Sequence, residues 1–162
     1  MAVAALCVLS AATGWLGHSR LSEIAANDEV ALAAGGGLRH MTGEKILVHV
    51  SSARAESMAT ALEEVEDTLR AARARGRGIE VEIVANSAGL ALLRADVSPH
   101  ARKIAALRAL YPNLTLIACN QTIDRLRENG VQVTLLPGVE VAPSALEQVV
   151  KRLQAGWVYV RA

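Results

Sequence analysis

The spacing of apolar and polar positions changes character near residue 44, and the two parts predict different things. From Lys45 onward, apolar runs of strand length alternate with stretches whose apolar residues recur three and four apart. "KILVHVSS" predicts a strand that ends in cap-type serines. "AESMATALEEVEDTLRAARARG" places Met58, Ala61, Leu62, Val65 and Leu69 on one helical face. Its acidic residues come early and its arginines late, which suits the helix dipole, and Gly76 is the expected stop. "GIEVEIVAN" predicts a second strand and "SAGLALLRAD" a short helix. "SPHARKIAALRAL" predicts a helix with Ser98 as N-cap and Pro99 at its first position. "NLTLIAC" is a third strand, and "QTIDRLRENG" a helix halted by Gly130. "VQVTLL" follows as a fourth strand, "APSALEQVVKRLQAG" as the last helix, and "WVYV" as a closing strand.

Strands that alternate with helices form right-handed crossovers, which makes neighbouring strands parallel and puts helices on both faces. The expected fold class is therefore α/β, with a mostly parallel sheet of about five strands over residues 45–162. In such sheets, ligands and chemistry collect outside the carboxyl ends of the strands.

Residues 1–44 break this rhythm. "MAVAALCVLSAATGWLG" is apolar from Ala2 to Gly17 and predicts an apolar N-terminal helical segment. It is short for a membrane span of about 20 residues, and Ser10, Thr13, Gly14 and Gly17 weaken it further. It also lacks the basic start of a secretory signal. Three readings stand: a membrane anchor, an export signal, and a helix that packs on a partner subunit, with residues 2–17 as the contact to a membrane or complex. His18 and Arg20, the first basic residues, follow the run, so insertion would leave the body of the chain cytoplasmic, the expected location. Ser22 to Ala34 suits a short helix, and Gly35 to Gly43 a linker.

Composition narrows the function classes. Apolar residues make up 52% and charged residues 20% of 162, which is globular rather than disordered. A formal net charge of +1 gives no general attraction to nucleic acid. The aromatic residues are Trp15, Tyr111, Trp157 and Tyr159, too few for a base-stacking platform. The core must be built from Ala, Leu, Val and Ile, as in strands hidden on both sides.

The sharpest chemical signal is Cys119, at the junction of "LTLIAC" and "NQTIDRLRENG". A thiol at a strand end, with a helix starting within about two residues, faces amide groups and a dipole that favour its thiolate. Asn120, Gln121 and Thr122 supply polar neighbours and a candidate cap. A free cysteine is also often simply a small buried apolar residue. Cys7 forms no C-x-x-C pair with it, so neither a disulfide framework nor a structural zinc site is expected. The glycines lack the spacing of phosphate-binding loops, so no nucleotide or other cofactor is expected. His18, His40, His49 and His100 have no i,i+4 pairing, and no metal site is expected. His49, near the carboxyl end of the first strand, and Asn86, at the end of the second, complete a supporting polar shell for Cys119. "RAARARGRG" clusters Arg70, Arg73, Arg75 and Arg77, which reads as a solvated helix end ahead of an anionic partner surface.

The stretches "IEVEIVANSAGLALL", "LIACNQT" and "LLPGVEVAPSALEQVVKRLQAGWVYVR", with the first strand and its histidine, resemble the DsrE/DsrF-like sulfur-relay superfamily. The resemblance runs from residue 45 to 161 and is nearest to the intracellular sulfur-oxidation DsrE-like branch. It implies a three-layer α/β/α fold, a homo-oligomer, and a persulfide role for Cys119 between sulfur-donor and sulfur-acceptor proteins. "NSAGL" stands where the family often carries a glycine-rich turn. On this reading the chain is a sulfur carrier rather than a conventional enzyme. The rival is a non-catalytic structural or docking module tethered by the N-terminal segment, and a third reading is small-ligand binding at subunit junctions.

Overall fold

The computed structural model describes residues 45–162, and the expectations for residues 1–44 lie outside them. Five parallel strands make one sheet: β1 (Lys45–Val50), β2 (Glu80–Ala85), β3 (Leu114–Cys119), β4 (Glu140–Ala142) and β5 (Val158–Arg161). Their order across the sheet is β4-β3-β2-β1-β5. Helices α1 (Ala55–Ala74), α2 (Ala101–Leu110), α3 (Asn120–Glu128) and α4 (Ala145–Gln154) connect them, with a 3-10 helix at Ser87–Leu93. The expected α/β class and parallel sheet are present.

Alternation along the strands sorts side chains onto two unlike faces. Ile46, Val48 and Val50 of β1, Val81, Ile83 and Ala85 of β2, and Leu114, Leu116 and Ala118 of β3 join one large apolar core. Covering it are Met58, Ala61, Leu62, Val65 and Leu69 of α1, the residues that the sequence placed on one helical face. Leu90, Leu92 and Leu93 of the 3-10 helix, Ile104 and Leu107 of α2, and Ile123 of α3 complete it. The opposite face carries a small cluster of Leu47, Val84, Ile117, Cys119, Ala142, Ala145 and Trp157, covered by α4.

Glu82 lies in the middle of this second face, fully buried. Its carboxylate accepts from Gln148 Nε2 at 2.7 Å and from Arg152 Nε at 2.9 Å, and Arg152 stacks over Trp157 at 4.4 Å. A buried charge costs several kcal/mol unless paired and hydrogen-bonded (about 3–5 if one partner is removed), so this network fixes where α4 sits. Glu82 of "IEVEIV" therefore faces α4 rather than solvent.

Two features are placed differently from the sequence expectation. "VQVTLL" is not a ladder strand; it touches β structure only through an antiparallel bridge of Leu135 to Arg94. Its alternating residues Val133 and Leu135 pack onto the large core instead, and Glu140–Ala142 is the fourth strand. Ser98 does not cap α2, which begins at Ala101 with His100 as N-cap. Its hydroxyl donates to the Leu92 carbonyl at 2.6 Å, tying the turn back to the 3-10 helix. Gly76 and Gly130 do end α1 and α3, with φ of 64° and 77°, a conformation that side chains resist.

Candidate functional site

The carboxyl edge of the sheet brings together several of the expected site residues, on the face under α4. β1 delivers His49, whose partner on β5 is Arg161. Nδ1 of His49 lies 2.9 Å from the Tyr159 hydroxyl, and Nε2 lies 3.0 Å from Asn86 Oδ1. Because Asn86 presents its carbonyl oxygen, Nε2 carries a proton. Tyr159 then donates to Nδ1 of a neutral ring or accepts from an imidazolium. The ring is thereby fixed in place in either charge state.

Cys119 ends β3 and is itself the N-cap residue of α3, so the helix starts immediately after it. Asn86 follows the last β2–β3 register pair, Ala85 with Ala118, which sets it beside Cys119 along the edge. The thiol is free, only 3% exposed, and packed in the cluster with Ala142, Ala145 and Trp157. Cys119 also pairs with Ala142 across the β3–β4 ladder. No hydrogen bond joins Cys119 to His49, Asn86 or Tyr159 among the described residues.

The polar neighbours on α3 have other duties. Asn120 donates to Asp124 along its own helix at 2.7 Å. The Gln121 amide donates to the Pro143 carbonyl at 3.3 Å, which ties the first turn of α3 to the segment leading into α4. Thr122 accepts from the Ser87 amide at 3.0 Å. That bond holds Ser87 at a φ of 49°, a left-handed conformation that costs a non-glycine residue about 1 kcal/mol or more. Such strain often marks functional edges. Gly89 follows in the 3-10 helix because a Cβ there would lie 2.3 Å from the Val50 carbonyl oxygen. The whole edge is closely built.

Tyr159, Ser87 and the Glu82–Arg152 pair are missing from the sequence reading. The signal that could have found Glu82 is a carboxylate inside an apolar strand run. No group of three metal-ligating side chains comes together among the described residues. No helix among them is long and apolar enough to cross a membrane.

No family model and no curated protein matches the chain. Among solved structures, it is similar to a protein of unknown function, MTH1491 from Methanobacterium thermoautotrophicum, with a TM-score of 0.58 and 27% identity. The match covers 74% of this chain and 100% of that one.

Proposed function

We propose that the domain is a DsrE-like sulfur carrier that takes up sulfane sulfur on Cys119 and passes it to a partner thiol. The observation that carries this reading is a free thiol at the carboxyl end of an inner parallel strand and at the N-cap of the next helix. The transfer is balanced without an oxidant. The Sγ thiolate attacks the donor's outer sulfur, a new S–S bond forms, and the donor's own S–S bond breaks to release a thiolate. The acceptor thiol repeats the exchange in the second step.

The carrier works as a homo-oligomer. Support for this comes from α4, which exposes Leu146 (74%), Val150 (44%) and Leu153 (49%) at i, i+4 and i+7. In the chain by itself Cys119 is buried in a cluster with Ala142, Ala145 and Trp157, so sulfur reaches it only when that packing opens locally, the Ala142–Ala145 segment being its nearest part along β4. That same burial favours a second reading, a structural or docking module in which Cys119 is a packing residue.

Intact-mass measurement after exposure to a polysulfide separates the two. The Cys7→Ser chain gains about 32 Da, one sulfur, and the Cys7→Ser/Cys119→Ser chain does not. Equal masses before and after treatment of the first chain leave only the module.

A further inference from the structure

The amino edge of the sheet, remote from Cys119, holds an opening of about 380 Å³ lined by Leu69, Arg73, Arg77, Ile79, Tyr111 and Asn113 together with Leu110 and Pro112. Its floor is apolar, since Leu69, Ile79 and Tyr111 belong to the large core. Its rim is cationic. The end of α1 explains how the two arginines come to share it. Gly76 turns the chain with positive φ, its amide bonds the Arg73 carbonyl at 3.1 Å, and the Arg77 amide returns to the Ala72 carbonyl at 3.0 Å. Arg77 is thereby folded back beside the last turn of α1.

The facing wall is equally fixed. The Asn113 side chain donates to the Ile79 carbonyl, and the Asn113 backbone carbonyl accepts from the Val81 amide at 3.0 Å. Neither Arg73 nor Arg77 has a carboxylate partner among the described residues, whereas Arg70 one turn earlier is paired with Glu66 and Asp67. The carboxyl end of α1 adds only about half a negative charge, which two guanidinium groups outweigh.

We infer that this opening binds a small organic anion, with a carboxylate or phosphate head held by Arg73 and Arg77 and an apolar body over Leu69, Ile79 and Leu110. Guanidinium groups suit such heads because their paired donors match two acceptor oxygens. The volume falls in the range of about 300–1,000 Å³ typical of small-molecule sites. Apolar floor and charged rim both contribute, so neither half of the ligand alone is enough.

The test follows backbone amide shifts of the full chain during titration with sodium octanoate, octanol or inorganic phosphate. Octanoate produces saturable shifts grouped at residues 69–79 and 110–113. Octanol and phosphate bind at least about tenfold more weakly. Arg73→Gln with Arg77→Gln lowers octanoate affinity at least about tenfold while the remaining spectrum is unchanged. Arg77→Gln alone, at an exposed turn, gives part of that loss, and Cys119→Ser gives none. Octanoate shifts centred on α4, octanol binding as tight as octanoate, or full affinity in the double arginine variant would each overturn the assignment.

Discussion

The two faces of the sheet are built on different principles. The side under α1, the 3-10 helix, α2 and α3 is a continuous apolar core in which shape and area do the stabilising. The side under α4 is thin and contains a buried carboxylate, a histidine held from both nitrogens, and the cysteine. Apolar packing tolerates small adjustments; a buried ion pair tolerates the loss of neither partner. The thick side therefore supplies stability, and the thin side supplies position.

Breaking the ion pair is the strongest probe of this contrast. Arg152→Leu leaves Glu82 buried with only Gln148 beside it and costs about 3–5 kcal/mol in urea denaturation of the full chain. Adding Glu82→Leu restores most of that, because the uncompensated charge disappears. A double variant as unstable as the single one contradicts the positional role. On the thick side, Leu62→Ala removes a fully buried side chain and costs about 2–5 kcal/mol, with no single partner change able to recover it.

The outer surface of α4 sharpens the comparison from another direction. Leu146→Glu with Leu153→Glu changes the stability of the chain itself by about 0.5 kcal/mol or less, yet lowers the particle mass seen by light scattering. An unchanged mass means the stripe is no assembly surface. The smallest effect belongs to Asp96, whose carboxyl the Arg94 hydrogen bond holds below its ordinary value of 3.8. A depressed value means that its stabilisation is present above that range and is lost as pH falls through the folded-state value. Asp96→Asn removes this acid-side dependence, and because Asp96 is exposed, added salt weakens the difference.

Much of the fold was legible because periodicity and burial agree. Met58, Ala61, Leu62, Val65 and Leu69 face the core as their spacing requires. "VQVTLL" misled because alternate burial against a neighbouring turn gives the same pattern as a ladder strand. Glu82 went unread for a different reason, since the partner that makes its burial tolerable lies 70 residues away. The site was legible only in part. Strand-end position marked Cys119, His49 and Asn86, and one hydrogen bond joins His49 to Asn86 while none reaches Cys119. Tyr159 enters from a strand 110 residues distant from His49, and nothing local announces that. Nor does the sequence reveal that Cys119 lies beneath Ala142 and Ala145.

The relay reading rests on Cys119 becoming reachable without unfolding of the domain. The decisive measurement is the iodoacetamide labelling rate of the Cys7→Ser chain in native buffer, set beside its global unfolding rate under the same conditions. Local opening of the Ala142–Ala145 segment predicts labelling that is slower than in denaturant but clearly faster than global unfolding. Labelling that only keeps pace with global unfolding would make Cys119 a packing residue and contradict the relay.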